Sequence, residues 1–288
     1  MIVLKFGGTS VGTADNLFNV KRIVESLDDS AVVVVSALGG LTDKLIATAK
    51  LAAAGNLDYS KEMDAISLRH HNIISEVIQP GDGLKTLAKI DPLLQDLRRL
   101  YDGVCLIGDL PEITLNKIVA MGERMSSIIV ADMIDGASHH DSLSFIKTEK
   151  WYDRNIAAAE LTTQLIRQEF NSDSKYPAVT GGFISTDKNT GEITNLGRGG
   201  SDYTAALIAA ALDAEVLQIW TDVDGFLTSD PRIISEAHVV PRMSFVESMD
   251  LCTFGAKVIY PPTIYPVFHK NIPIRILNTF HPEVEGTY

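Results

Sequence analysis

The sequence predicts an α/β protein built on a mostly parallel sheet. Three observations carry this. Ala31-Val32-Val33-Val34-Val35 is a near-continuous β-branched run, the pattern of a strand covered on both faces. Ile2-Val3-Leu4-Lys5-Phe6 is a second short apolar run, and each of the two passes through a small-residue loop into a helical pattern. Glu215-Val216-Leu217-Gln218-Ile219-Trp220 is a third buried run, ending in Thr221-Asp222-Val223-Asp224-Gly225.

The 288 residues suffice for a substantial core. Hydrophobic content of 45% and charged content of 22% are those of a globular protein. The net charge of −12 argues against a nucleic-acid or membrane surface, and obliges any nucleotide pocket to concentrate its own positive charge. Cys105 and Cys252 form no Cys-x-x-Cys pair, so neither a disulfide framework nor a zinc knuckle is expected. No apolar run reaches membrane-spanning length and no signal peptide opens the chain, so the reading is cytoplasmic.

The first strand ends in Gly7-Gly8-Thr9-Ser10-Val11-Gly12. Lys5 inside an apolar strand costs free energy unless its ammonium reaches water or an anion. It is read either as a snorkelling edge lysine or as a lysine aimed at phosphate beside a loop of backbone amides. Residues 13–28 carry a helical stripe of Leu17, Val20, Ile23, Val24 and Leu27, capped by Thr13 or Asp15. After the valine run, the loop 36–44 contains Gly39, Gly40 and Thr42, and opens another helix. In open α/β sheets, ligands bind at such loops.

Residues 45–101 read as helix-rich, broken at Gly55-Asn56 and at Pro80-Gly81-Asp82-Gly83; the adjacent His70 and His71 read as surface residues, and 102–107 as a strand or turn. Residues 115–134 predict a long helix containing Gly122-Glu123-Arg124. Glu123 is either half of a surface pair with Arg124 or a buried carboxylate that receives an ammonium group. A turn and an edge strand follow over 136–147, an amphipathic helix over 155–170, and a strand over 176–184 ending in Gly181-Gly182. Lys188-Asn189-Thr190-Gly191 predicts a hairpin turn.

That hairpin leads to Leu196-Gly197-Arg198-Gly199-Gly200-Ser201-Asp202-Tyr203-Thr204 and then to the apolar helix 201–212, with Ser201 or Asp202 as N-cap. A glycine turn opening a helix is a natural anion site, and Arg198 adds a planar fork suited to carboxylate or phosphate. Asp202 instead suggests an organiser of cations, either a metal ion or lysines from elsewhere. The stretch is neither a Rossmann fingerprint nor a P-loop. Asp222-Val223-Asp224-Gly225 lacks the further ligands of a calcium loop. A strand-terminal Thr-Asp instead suits a purine or ribose edge. A capped helix over 244–252, a second glycine-associated lysine at Lys257 and a last strand over 272–277 complete the chain.

Taken in order, Lys5-Phe6-Gly7-Gly8-Thr9-Ser10-Val11, Gly122-Glu123, 197–204, 220–232 and Phe254-Gly255-Ala256-Lys257-Val258 resemble the blocks of the aspartokinases, and the resemblance covers nearly the whole chain. It implies the amino-acid-kinase fold, a three-layer α/β/α sandwich. It also implies transfer of the ATP γ-phosphoryl to the side-chain carboxylate of L-aspartate with Mg²⁺, in the route to lysine, threonine and methionine. By resemblance, Lys5 and the Gly7, Gly8, Thr9 and Ser10 loop hold the transferring group, Lys257 neutralises phosphate charge and Asp202 orients the lysines or assists the metal through water. Arg198 and Glu123 pair with the substrate α-carboxylate and α-ammonium, Thr42 and Ser201 assist, and Thr221, Asp222 and Arg232 contact ATP. No residue of the chain is assigned as a direct metal ligand.

The resemblance further implies a single catalytic domain with an aspartate-side lobe over about 1–200 and an ATP-side lobe over about 201–288, homo-oligomeric in its full-length form. Regulatory domains that follow this region in the family are absent from the sequence. It reads either as the kinase part of a longer protein, a bifunctional aspartokinase–homoserine dehydrogenase being one such protein, or as a natural short form. Leu227 and Tyr260 depart from the family's usual tyrosine and histidine. The competing readings are another amino-acid kinase, acting on acetylglutamate, glutamate, carbamate or UMP, and a catalytically weak binding module.

Overall fold

The computed structural model describes residues 1–27, 30–152, 154–171, 174–230, 232–256, 258–260 and 264–288. The chain runs β1 (Ile2–Phe6), α1 (Ala14–Glu25), β2 (Ala31–Val35), α2 (Leu41–Ala53), α3 (Tyr59–Val77), α4 (Pro80–Ile107), α5 (Glu112–Met133) and β3 (Ser138–His140). It continues through β4 (Lys147–Trp151), β5 (Arg154–Ala157), α6 (Ala159–Glu169), β6 (Ala178–Gly181), β7 (Ile184–Asp187) and β8 (Ile193–Asn195). The last elements are α7 (Gly200–Ala211), β9 (Leu217–Thr221), α8 (Phe245–Thr253), α9 (Tyr265–Phe268) and β10 (Ile274–Asn278).

Six strands form one parallel sheet in the order β10-β9-β1-β2-β6-β3. The β2 valines explain its two-sided burial. Val33 and Val35 join a core with Leu17, Leu45, Ile73, Leu97 and Ile129 from α1–α5, whereas Val32 and Val34 join Ile166, Ile208 and Val267 from α6, α7 and α9. A fully buried valine contributes about 1.5–3 kcal/mol, so this strand anchors both helical layers. The predicted three-layer α/β/α arrangement is therefore present. A smaller mixed sheet, β5-β4-β7-β8, stands beside it. Among the described residues no helix is long and apolar enough to cross a membrane.

All six main-sheet strands end at one edge. The chain leaves β1 toward β2 on one side, while β9 lies on the other. Connections diverge at the β1–β9 boundary, the kind of crevice where α/β sheets take ligands.

Several local expectations are corrected. Residues 102–107 are the end of α4, not a strand or turn. The break expected at Pro80-Gly81-Asp82-Gly83 falls just before it, at Ile78-Gln79 between α3 and α4, and the four residues themselves form the first turn of α4, because proline in a first turn forfeits only an amide that has no intrahelical partner. The predicted helix 155–170 surrenders 154–157 to β5 and begins at Ala159. α7 is capped by Gly199, in left-handed conformation (φ 70°), rather than by Ser201 or Asp202, which sit inside its first turn. His71 is on the surface against Asp91, as expected, but His70 is fully buried, its Nδ1 on the Ile66 carbonyl. Desolvation pushes His70 down to about 4, so it is neutral at physiological pH.

Candidate functional site

The carboxyl edge of β1, β2 and β6 meets the N-termini of α2 and α7 around a pocket of about 400 Å³. Lys5, Thr42, Glu123, Ser201 and Asp202 line it together, with Gly8 and Phe183. Among the described lining residues Lys5 is the one cation.

Lys5 is there because side chains alternate along a strand. Leu4 and Phe6 enter the core under α1–α5, so Lys5 faces the α7 layer. β1 is an interior strand, which disposes of the snorkelling edge reading. Its ammonium lies 2.7 Å from Asp202 Oδ1, an ion pair without hydrogen-bond alignment, with the two side chains only 12% and 13% exposed. Asp202 thus organises a lysine, one of the two alternatives its sequence left open.

Glu123 is brought in by its neighbour. A Cβ on Gly122 would stand 2.8 Å from the Ala37 side chain, so only glycine lets α5 approach the loop after β2 this closely. That approach allows the Ala37 amide to donate to Glu123 Oε1 at 3.2 Å. Oε2 is buried with no hydrogen-bond partner among the described residues. Desolvation raises the Glu123 carboxyl to about 8, with the Ala37 amide pulling the other way. Arg124 points away, its Nε 3.5 Å from Asp141. The surface-pair reading of Glu123 with Arg124 is overturned. An orphaned buried carboxylate oxygen on a residue that lines a pocket is a receptor for a cationic donor such as a ligand ammonium.

Above it, Ser36 Oγ donates to Ser201 Oγ at 3.0 Å, and Ser126 Oγ donates to the Ser36 carbonyl at 2.8 Å, tying β2, α5 and α7 together. Phe183 walls the pocket from a left-handed backbone (φ 67°), a conformation rare outside glycine. Its amide donates to Thr204 Oγ1. Neither Ser36 nor Phe183 was singled out from sequence, where only the small residues and the glycine pair beside them stood out.

The first glycine loop divides its work. The Gly7 amide is spent on the Trp220 carbonyl, and Ser10 Oγ on Thr279 Oγ1 at 2.7 Å. The amides of Gly8, Thr9 and Ser10 have no acceptor among the described residues. Those of Ser201 and Asp202, in the first turn of α7, are likewise open. These groups supply the local positive potential that a chain of net charge −12 has to concentrate.

Of the other predicted residues, Arg198, Thr221, Asp222 and Arg232 stand outside the pocket lining. Arg198 is exposed, its guanidinium 5.7 Å from the centre of the Tyr260 ring, although its neighbours Gly197 and Gly199 line the cavity. Thr221 ends β9 beside the first loop, its hydroxyl on Asp222. Arg232 is held by Asp230 through Nε and Nη2, and this pairing keeps the Asp230 carboxyl at about 2. Lys257 lies outside the described residues.

No group of three or more His, Cys, Asp or Glu among the described residues is placed to enclose a metal ion. Asp202, in the pocket lining, is an oxygen donor of the kind that Mg²⁺ prefers.

A family model described as the amino acid kinase family matches residues 1–278. The lysine-sensitive aspartokinase 3 of Escherichia coli (strain K12) is 34% identical over 304 residues, covering 100% of this chain and 63% of that protein. The chloroplastic aspartokinase 1 of Arabidopsis thaliana is 32% identical over 301 residues, covering 99% of this chain and 51% of that protein. The structure of E. coli aspartokinase III in complex with aspartate and ADP superimposes with a TM-score of 0.89 at 31% identity, covering 100% of this chain and 64% of that one. The chain thus spans between half and two thirds of the length of these relatives. Matched along nearly all of its length, the chain belongs to the amino acid kinase family.

Proposed function

We propose that this chain transfers the γ-phosphoryl group of ATP to the side-chain carboxylate of L-aspartate, releasing ADP and 4-phospho-L-aspartate, the step that opens lysine, threonine and methionine synthesis. The observation that carries it is the buried carboxyl group of Glu123, a residue that lines the same pocket as Lys5 and whose Oε2 has no hydrogen-bond partner among the described residues. An acceptor with both an ammonium and a carboxylate fits that pair of walls. The aspartokinase relatives, one of them solved with aspartate and ADP, support the reading.

In this reading the aspartate ammonium sits on Glu123 Oε2, with Thr42 and Ser201 beside it. Arg198 leaves Tyr260 to take the α-carboxylate. An exposed cation–π contact costs only about 0.5–1 kcal/mol to give up. The substrate side chain is then directed at Lys5.

The nucleotide lies along the carboxyl ends of β9 and β1. Its phosphates meet the open amides of Gly8, Thr9 and Ser10, while Gly7 provides the turn. Thr221, Asp222 and Arg232 take the nucleoside and outer phosphate contacts, and Lys257 neutralises phosphate charge. Asp202 would hold a Mg²⁺ ion carried on the nucleotide, directly or through water, and that ion would supply charge neutralisation at the phosphates. The aspartate-side lobe is thus about 1–200 and the ATP-side lobe about 201–288.

One carboxylate oxygen of aspartate attacks the γ-phosphorus as the bond to the β,γ-bridging oxygen breaks, and the electron pair leaves with ADP. The attacking group is already ionised at neutral pH, so no general base is required. Lys5 keeps its ammonium against the transferring oxygens, oriented by Asp202, and the protein contributes positioning and charge stabilisation.

An ADP-release assay with aspartate, acetylglutamate, glutamate, carbamate and UMP tests this. Turnover with aspartate is expected; turnover with another acceptor and none with aspartate overturns it. Calorimetric binding of both ligands without turnover supports a binding module instead.

A further inference from the structure

Two glycine loops form the floor between the proposed halves of the site, one following β1 and one following β2. They touch backbone to backbone. A Cβ on Gly39 would stand 3.0 Å from the Gly8 carbonyl oxygen, and one on Gly8 would stand 3.2 Å from that of Ala37. Yet no backbone hydrogen bond joins 8–12 to 37–40 among the described residues. The contact is close but unfastened by the main chain.

The fastening comes from α3. Arg69 Nη2 donates to the Gly12 carbonyl at 3.0 Å and to the Gly39 carbonyl at 2.8 Å, one bond to each loop. No carboxylate among the described residues pairs with this guanidinium, so its hydrogen bonds go to the loops. Its helix is anchored on either side by Ile66, His70 and Ile73, all buried.

We infer that Arg69 is a positioning residue, a clamp that fixes the distance between the phosphate-holding loop and the loop that holds the acceptor site. The first loop carries the open amides of Gly8, Thr9 and Ser10; the second carries the Ala37 amide that holds Glu123 and leads into α2 at Thr42. The kinetic part of this inference rests on the proposed phosphoryl transfer, because a misplacement of about 1 Å between reacting groups costs on the order of 10²-fold in rate. The clamp itself rests on geometry alone.

The test compares the wild-type chain with Arg69→Met, which keeps the stem and removes the donors, and Arg69→Lys, which restores a charged donor. Hydrogen exchange of the hydrogen-bonded loop amides, Val11 and Gly12 in the first loop and Ala37 and Leu41 in the second, is expected to accelerate at least about tenfold in Arg69→Met while α5 stays protected. In steady state, kcat for aspartate phosphorylation is expected to fall by roughly ten- to a hundredfold with KM for aspartate within about threefold, and Arg69→Lys to recover part of both effects. Unchanged exchange in both loops overturns the clamp whether or not the chain turns over. Faster exchange with unchanged kcat, in a wild-type protein that phosphorylates aspartate, overturns the positioning role. A wild-type protein that fails to phosphorylate aspartate defeats the functional reading instead, and the exchange comparison then decides the clamp by itself. Should Arg69→Met fail to fold, exchange in Arg69→Lys decides: faster exchange in both loops than in wild type supports the clamp, and identical protection overturns it.

Discussion

Replacing Glu123 by Gln separates two consequences of one buried carboxyl group. Its pKa rises from the usual 4.5 to about 8 because α5 and the loop after β2 exclude water from it. Between those values the folded chain holds a proton that the unfolded chain has released. The stability contribution is therefore fully present below pH 4.5 and is lost as pH rises toward 8. At about 1.4 kcal/mol per pH unit, the shift sets a ceiling of about 5 kcal/mol, a large share of an ordinary domain's stability. Urea unfolding of wild type and Glu123→Gln between pH 5 and 8.5 reads this directly. The stability of the Gln variant relative to wild type is expected to grow by several kcal/mol across the window, at an unchanged m-value. Parallel pH profiles would refute the burial argument. The same proton links to binding. At pH 7 the carboxyl is mostly protonated, so seating an ammonium on Oε2 expels close to one proton. Calorimetry of aspartate in two buffers of different ionisation enthalpy should detect that release in wild type and not in Glu123→Gln.

Other changes probe the remaining contacts. Lys5→Ala is expected to abolish phosphorylation while leaving aspartate binding measurable by calorimetry, and to lower stability by roughly 3–5 kcal/mol at most, since it strands Asp202 in the pocket wall. Loss of aspartate binding to the same degree as turnover would contradict that division. Gly122→Ala drives a methyl to 2.8 Å from the Ala37 side chain and should cost about 1–3 kcal/mol in thermal or urea unfolding, with weaker aspartate binding as the Ala37 amide moves off Glu123. Arg198→Ala should leave the melting temperature nearly unchanged and weaken aspartate by about 1.5–3 kcal/mol; a variant that loses ATP and keeps aspartate would mean that the two half-sites are exchanged.

The scaffold was legible where local pattern and global position agree. The β2 valines could only be a strand buried on both sides, and Lys5 in an apolar run called for an anion, which Asp202 supplies. Gly122-Glu123 was readable because a glycine beside a carboxylate in an apolar helix marks close approach. Legibility failed where distant residues decide. β4 and β5 carry Lys147, Glu149, Lys150 and Arg154, so their side sheet shows little strand hydrophobicity. Pro80 and its glycines mark a break yet belong to the helix that follows it, because both flanks are helical and the amide that proline lacks has no partner in a first turn. His70 and His71 are identical in type and adjacent, yet the packing of α3 buries one and exposes the other. Arg198 is turned outward by Tyr260, far along the chain. Arg69 left no local trace at all, because its partners are carbonyl oxygens that any residue provides.

The most direct measurement is a crystal structure of the chain with a non-hydrolysable ATP analogue and L-aspartate. The amino group of aspartate is expected within about 3.2 Å of Glu123 Oε2, the side-chain carboxylate turned to Lys5, and the terminal phosphate on the amides of Gly8 to Ser10. An amino acid seated with its ammonium away from Glu123, or a nucleotide that leaves the first glycine loop empty, would contradict the account.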